Sequence, residues 1–137
     1  MLTEGKGIPI ALVVAGANRN DMKLLADTLE AVVIERPAPT AAEPHHLCAD
    51  KGYDYPVCRE QAEAHGYVPH IRARGEERQA KQEHPDYRPR RWVVEVCHSW
   101  LNRFRKILVR FEKLEETHLA LLQFACAYVV FRRATSC

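Results

Sequence analysis

The sequence lacks the features that direct a chain into or across a membrane. It contains no run of about 18 apolar residues, the length at which a membrane-spanning helix is considered. Its first ten residues, MLTEGKGIPI, do not show the charged, apolar and small-residue regions of a secretory signal peptide. These absences predict a cytosolic protein without a membrane partner.

Several common catalytic and binding motifs are missing as well. The five cysteines are odd in number, scattered and without a C-x-x-C pair, which predicts reduced thiols rather than disulfides or zinc ligands. Four histidines are candidate metal ligands: His45, His46, His65 and His70. None has a partner at zinc-finger spacing, so surface or loop positions are favoured. The glycines of EGKGIPI lack a nucleotide-loop pattern, and no Ser-His-Asp or Cys-His order stands out.

The sequence has the composition of a globular domain, and its acidic and basic residues are distributed unevenly between the two halves of the chain. With 137 residues, 47% hydrophobic and 28% charged, the chain is long enough for one domain with a core, so a single domain is predicted over 1–137. Residues 1–71 carry six basic and ten acidic side chains, whereas residues 72–137 carry fourteen and eight. The second half is therefore the candidate for binding a polyanion.

The start of the chain predicts a strand followed by a helix. GIPIALVVAGA (7–17) is aliphatic between glycines, and Pro9 suits the beginning of a strand. In NRNDMKLLADTLEAVVIE, Asn20 or Asp21 can form the N-cap of a helix. Its predicted apolar face comprises Leu24, Leu25, Thr28, Leu29, Val32 and Val33.

The middle of the chain predicts a strand, a helix and a second strand after a loop. Three prolines indicate a surface loop over 36–44. HHLCAD is apolar at its centre and predicts a short buried strand, and YPVCREQAEAHG predicts a helix that ends near Gly66. YVPHI (67–71) predicts a further strand.

The second half predicts a basic connection and then helices. Residues 72–90 have no apolar periodicity, so we expect a mobile basic connection, followed by C-terminal helices over 91–133. An apolar stripe with steps of four and three predicts the core-facing side of a long helix: Val93, Cys97, Trp100, Phe104 and Ile107. The last helix is apolar on more than one face and is expected to be deeply packed or paired with another chain.

This order of elements favours an α/β fold with a mainly parallel sheet and helices on its faces. In such sheets ligand-binding groups collect at the carboxyl ends of the strands. Asp50 directly follows the apolar run of HHLCAD and precedes Lys51 and Gly52, so it is either a turn or helix-cap residue or an acid held at a strand end.

Glu95, like Asp50, is either a structural acid or a functional one. It lies off the apolar stripe of its helix, in a basic neighbourhood that comprises Arg90, Arg91, Arg103, Arg105 and Lys106. The simpler interpretation is a solvated pair between Arg91 and Glu95, four residues apart, worth a few tenths of a kcal/mol.

Three segments together resemble the catalytic region of DDE-class insertion-sequence transposases, the five-type family of bacterial mobile elements. They are LTEGKGIPIALVVAGANRND, CADKGYD and RWVVEVCHSWLNRFRKILVRFEKLEETHLALLQFACA, and they cover nearly the whole chain in the family order. The resemblance implies an RNase H-like mixed sheet flanked by helices, in which three carboxylates hold two Mg²⁺ (or Mn²⁺) ions. Asp50 matches the second acid and Glu95 the third, while Arg91 matches the arginine of a Y-x-x-R-x-x-x-E signature.

The resemblance implies metal-dependent DNA cleavage and strand transfer at transposon ends, by a homo-oligomer acting on the bacterial nucleoid. Two metal ions about 3.5–4 Å apart would activate the attacking oxygen and stabilise the leaving one. The basic residues around Glu95 would neutralise DNA phosphates. Tyr87 and Trp92 are candidates for stacking on an unpaired base, whereas Trp100 is assigned to the core.

The sequence also departs from the family pattern. The first acid is Glu4 in TEGKGIP rather than Asp, which displaces the carboxylate by a methylene and predicts impaired activity if no other first acid is present. Val96 and Asn102 replace basic residues of the family, and the signature tyrosine falls at Arg88, with Tyr87 one residue early.

Because only three residues precede Glu4, most of the first strand of the RNase H-like sheet is expected to be missing. The chain is then the downstream part of a transposase, either one of two reading frames or a decayed remnant, which pairs with the upstream part or with a full-length subunit. The alternative is a non-catalytic fragment that binds DNA or another transposase subunit.

Overall fold

Four short strands form two separate sheets in the described part of the chain. The computed structural model describes residues 1–72, Glu76, Gln82 and 92–135. The strands are β1 (Leu2–Thr3), β2 (Pro9–Ala11), β3 (His45–Ala49) and β4 (Tyr67–Ile71). β1 pairs with β2 in antiparallel orientation, and β3 pairs with β4 in parallel orientation.

Five α-helices and two 3₁₀ turns complete the described elements. The helices are α1 (Leu25–Glu30), α2 (Pro56–Ala64), α3 (Trp92–Leu101), α4 (Arg105–Leu108) and α5 (Glu115–Ala134). The 3₁₀ turns span Asp21–Leu24, directly before α1, and Lys51–Tyr53, directly after β3. None of the helices in the described ranges is long and apolar enough to cross a membrane.

The β3–α2–β4 unit follows the sequence closely. Pro56 occupies the first turn of α2, where its missing N–H leaves no helical hydrogen bond unmade. Gly66 ends the helix with a φ of 77°, in the left-handed region that glycine adopts without a Cβ clash. The predicted strands at HHLCAD and 67–71, the helix between them and the loop over 36–44 are confirmed. The expected burial of the HHLCAD strand is not, because Leu47 is its buried residue and His46 and Cys48 are exposed.

Two apolar clusters stabilise the described elements. The first joins α1, α2, β3 and β4 through Leu25, Leu29, Leu47, Cys58, Ala62, Tyr67 and Ile71. The second joins α3 and α5 through Cys97, Leu101, Ala125 and Val129, with Trp100, Phe104 and Ile107 packed against it. The core assignment of Trp100 is confirmed, and so is the inward orientation of the α3 stripe. Cys48, Cys58, Cys97 and Cys126 are free thiols.

The first strand and the first helix are both shorter than predicted. The strand occupies only Pro9–Ala11 of the predicted 7–17, and α1 ends at Glu30, so Val33 is 86% exposed rather than part of the buried face. The Val33 N–H donates to the Ile10 carbonyl at 3.3 Å instead of continuing the helical ladder. A contact with β2 thus replaces the last turn that periodicity predicted.

The long helix predicted from position 91 is interrupted after Leu101. Phe104 has an extended backbone (φ −89°, ψ 102°) before α4 begins at Arg105. Its ring meets the ring of Tyr128 on α5 edge-on, with the ring centroids 5.7 Å apart. The break turns Phe104 toward α5, and such aromatic pairs are worth about 0.5–1.5 kcal/mol beyond their buried area.

Three further predictions are corrected or limited by the structure. The mixed α/β class is confirmed, but one mainly parallel sheet is not observed, because the described strands form an antiparallel pair and a separate parallel pair. The last helix is not deeply packed within the described chain, since Ala125 and Val129 are its buried residues, and the alternative of pairing with another chain stays a prediction. Most of 72–90 lies outside the described residues, but Glu76 and Gln82 are helical, not irregular.

Candidate active site

Asp50 lies at the carboxyl end of the parallel strand β3, as predicted. Its backbone is extended, and its Oδ1 accepts a hydrogen bond from the Gly52 N–H at 2.8 Å, which makes Asp50 the cap of the Lys51–Tyr53 turn. The side chain is exposed. Both interpretations from the sequence therefore coexist, because one carboxylate oxygen forms the turn while the carboxylate as a whole faces solvent at a strand end.

Glu4 lies in the turn between β1 and β2, directly after the two-residue strand Leu2–Thr3. Its Oε1 accepts hydrogen bonds from the main-chain N–H groups of Lys6 at 2.7 Å and Ile8 at 3.1 Å. In this structure the Glu4 carboxylate therefore closes the hairpin turn. A charge-assisted bond of this kind is stronger than one between neutral groups, so the turn holds the carboxylate in a defined position.

Gly7 packs this turn against the helix that carries Glu95. Its φ is 86°, and a Cβ built on it would lie 3.2 Å from the Val93 carbonyl and 3.6 Å from the Trp100 ring. Both neighbours belong to α3, so the turn that contains Glu4 rests on α3. The close approach explains why this position in EGKGIPI is glycine.

Gly7→Ala is expected to lower the free energy of unfolding by about 1–2 kcal/mol, because the left-handed backbone becomes strained and the methyl group crowds α3. Gly5→Ala is the matched control in the same turn, since a Cβ there would have no atom within 4 Å other than those of Gly5 and its two chain neighbours. Urea unfolding monitored by circular dichroism measures both. Equal losses in the two variants would contradict the packing argument.

Glu95 lies on α3, on its exposed side. Desolvation lowers the pKa of His98, one turn further along, and the N-terminal ammonium of Met1 lowers it as well, while the negative charge of Glu95 opposes both effects. Glu95 and His98 are therefore electrostatically coupled neighbours on α3. The proposed pair of Glu95 with Arg91 involves a residue outside the described part of the chain.

Asp21, one of two cap candidates in the sequence, lies near Asp50, since both charges act on Tyr53. Asn20 is the cap, because its Oδ1 accepts from the Met22 N–H at 3.1 Å. Burial raises the pKa of Tyr53, and the charges of Asp21 and Asp50 raise it further. The sequence contained one indication of this. Asn20 and Asp21 are adjacent cap candidates, and because a helix N-terminus uses one N-cap residue, the other side chain does not serve as the cap.

The structure does not gather the predicted carboxylates into a metal site. Within the ranges 1–72 and 92–135, together with Glu76 and Gln82, no three His, Cys, Asp or Glu side chains are placed to hold a metal ion together. Glu4, Asp50 and Glu95 remain predicted ligands on three different elements. Carboxylate oxygens suit Mg²⁺, but this arrangement does not form a closed binding site for it.

The basic residues after α3 lie where DNA could reach them. Arg103, Arg105 and Lys106 are exposed around the break between α3 and α4. Trp92 is 54% exposed at the start of α3, whereas the Arg133 guanidinium lies 4.1 Å from the centre of the Trp100 ring. Arg90, Arg91 and Tyr87 lie outside the described residues.

Comparisons with known proteins agree with the resemblance. The profile of the family described as "Transposase DDE domain" matches residues 1–130. A Burkholderia cepacia protein that carries the name of a transposase for insertion sequence element IS402 is 32% identical over 132 residues, which cover 94% of this chain and 60% of that protein. No solved structure matches. Because the profile spans nearly the whole sequence, the chain belongs to the DDE-domain transposase family.

Proposed function

We propose that this chain supplies catalytic carboxylates for DNA cleavage and strand transfer at the ends of an insertion sequence. The observation that carries the proposal is the position of Asp50, an exposed acid at the carboxyl end of a parallel strand in a chain of the transposase family. In an RNase H-like arrangement, Asp50 is the central carboxylate, and Glu4 and Glu95 are the other two.

The carboxylate set is completed by assembly rather than by this chain alone. Glu4 is held on the β1–β2 turn, which packs on the helix that carries Glu95, so those two elements are already neighbours. Asp50 follows β3, which contributes Leu47 to the first apolar cluster, and it lies beside the turn that contains Asp21. DNA and further transposase sequence would bring the two groups together, and divalent ions bound there would supply the two-metal chemistry of phosphodiester cleavage.

DNA phosphates are contacted by the basic side chains next to α3. Arg103, Arg105 and Lys106 project from an exposed turn, and Arg90 and Arg91 precede the same helix in the sequence. Each phosphate contact releases counterions, so affinity should fall steeply with salt. Trp92 adds an exposed aromatic surface for an unpaired base, with Tyr87 nearby in the sequence.

A partner chain or segment covers the exposed aromatic face of α5. Phe124 and Phe131 are 73% and 63% exposed and lie seven residues apart, which places them on one side of the helix. An apolar surface of this kind marks an interaction site. This chain spans 60% of the length of the relative, so the remaining transposase sequence, supplied as an upstream segment or in a full-length subunit, is the proposed occupant. The active assembly on the nucleoid is a homo-oligomer.

A second candidate function is a non-catalytic DNA-binding fragment. The observation that favours it is that Glu4 is used by its own turn and that no three-residue metal cluster occurs among the described residues. In that case the basic residues still bind DNA, and the chain acts on a full-length transposase subunit instead of cutting DNA itself.

Cleavage of a labelled terminal inverted repeat with Mg²⁺ or Mn²⁺ separates the two candidates. The chain alone, and the chain fused to the upstream sequence encoded beside it, are compared at equal concentration. Cleavage by the fusion that is lost in Glu95→Ala supports the catalytic proposal. DNA binding without cleavage in every form supports the second candidate, and cleavage that survives Glu95→Ala would refute the assignment of the third acid.

A further inference from the structure

Two histidine side chains meet on the exposed face of the β3–β4 sheet. Nδ1 of His46 lies 2.8 Å from Nε2 of His70, and the ring centroids are 4.9 Å apart. Both residues are exposed. They are 24 positions apart in the sequence, so no spacing rule for a local metal motif could link them.

The parallel register explains the contact. Residues 46 and 48 of β3 and residues 68 and 70 of β4 point away from the core, because side chains alternate along a strand and Leu47 faces the core. His46 is paired with Val68, and Cys48 with His70, so the two histidines are diagonal neighbours across the strand pair. Imidazole side chains are long enough to meet across such a diagonal, and the distance between the His46 and His70 nitrogen atoms shows that these two do.

The chemistry of the pair favours neutral rings. A hydrogen bond between two imidazoles requires a proton on one nitrogen and a lone pair on the other, and two charged rings would repel each other. Neutral imidazole is also the form that binds a transition-metal ion.

We propose that His46 and His70 together bind a first-row transition-metal ion such as Zn²⁺, Ni²⁺ or Cu²⁺, which clasps β3 to β4. Two imidazole nitrogens at about 2.0–2.1 Å from a metal ion lie about 2.9 Å apart at the right angle of a square-planar or octahedral ion, and about 3.3 Å apart at the tetrahedral angle of Zn²⁺. The observed separation of 2.8 Å therefore fits Ni²⁺ or Cu²⁺ best. No third His, Cys, Asp or Glu side chain in the described ranges completes the set, so solvent fills the other coordination positions.

This site is distinct from the proposed carboxylate set in position and in metal preference. His46 and His70 offer nitrogen ligands, which suit Zn²⁺, Ni²⁺ and Cu²⁺, whereas Mg²⁺ prefers oxygen. The proposal does not depend on DNA cleavage. The metal ion would have a structural role. α2 connects β3 to β4 on the core face of this strand pair, and the ion would connect the same two strands on the exposed face.

Titration of the purified chain with NiCl₂ or ZnCl₂, followed by calorimetry and by thermal unfolding, tests the site. We expect one ion per chain and a rise in melting temperature that chelator removal reverses, since a ligand that binds the folded state stabilises it. His46→Gln and His70→Gln should each weaken binding at least about tenfold, because even groups that only orient a ligand change metal affinity by 10–100-fold. MgCl₂ should leave the melting temperature unchanged.

Two control variants make the outcome specific. His65→Gln removes a histidine whose Nδ1 lies 2.8 Å from the Gln61 carbonyl, away from the pair, and Cys48→Ser removes the thiol beside His70. Both should bind Ni²⁺ like the parent chain, and circular dichroism checks that every variant is folded. The proposal fails if the parent chain does not bind, if either histidine variant binds within about twofold of it, or if Cys48→Ser loses the ion.

Discussion

Asp50→Asn is expected to reduce DNA cleavage by the assembled transposase by about 10²–10³-fold or more, because a neutral amide cannot supply the negative charge that a divalent cation and the developing phosphate charge require. The substitution keeps the size of the side chain. It also keeps an oxygen that can accept from the Gly52 N–H, so the Lys51–Tyr53 turn should form as before. The measurement is single-turnover cleavage of an inverted-repeat substrate by the fusion protein.

Asp54→Asn is the matched control four residues further along the chain. Asp54 lies 2.6 Å from the guanidinium of Arg59, a half-exposed pair whose loss should change stability by no more than about 1 kcal/mol. Arg59 also donates to the Ile71 carbonyl at 2.7 Å, so it keeps a partner. Cleavage should therefore remain near the parent level. Equal losses in the Asp50 and Asp54 variants would contradict a catalytic role for Asp50.

Alkaline pH is expected to destabilise the chain through the buried thiol of Cys97. Burial raises the pKa of Cys97 from an ordinary value of 9.0 to about 11, the charge of Cys126 adds to the effect, and the Met1 ammonium opposes it. Cys97 is fully buried between α3 and α5, with its Sγ 3.9 Å from the Met1 Sδ. The folded chain therefore keeps a proton that the unfolded chain releases.

The sign follows from proton linkage. Between about pH 9 and 11 the unfolded state binds fewer protons than the folded state. The contribution of the protonated Cys97 thiol to the free energy of unfolding is therefore fully present below about pH 9. It is lost as the pH rises to about 11, by up to about 1.4 kcal/mol per pH unit. The free energy of unfolding in urea, measured under reducing conditions at several pH values, should fall less steeply for Cys97→Ala than for the parent chain.

Cys48→Ala is the control for this measurement, because it removes an exposed thiol instead of a buried one. Burial also raises the pKa values of Cys58, Cys126 and Tyr53, so part of the alkaline loss will remain in Cys97→Ala. The difference between the slopes isolates Cys97. Identical slopes for the parent chain and Cys97→Ala would show that this thiol titrates alike in both states.

The β3–α2–β4 unit could be predicted because its local signals agree with one another. The apolar centre of HHLCAD, Pro56 in the first turn of α2 and Gly66 after its end all favour the same boundaries. The position of Asp50 at the end of β3 followed from those boundaries alone. Family membership could likewise be read from the sequence, because the matching segments retain their order along nearly the whole chain.

The elements that differed from prediction are those in which a distant contact competes with a local pattern. Val33 bonds to the Ile10 carbonyl and leaves α1, and Phe104 turns toward Tyr128 and interrupts the helix after Leu101. Periodicity measures which side chains share a helix face, but it does not measure the energy of contacts outside that helix.

The sequence by itself determined the family, the alternation of strands and helices through residue 71, and the acid at the end of β3. These depend on residue order and on interactions between near neighbours. Only the tertiary structure decided that His46 meets His70, that Val33 bonds to the Ile10 carbonyl instead of extending α1, and that Phe104 turns toward Tyr128. Those outcomes depend on strand register and on packing between elements, because a contact across a sheet or between helices has no fixed separation along the chain.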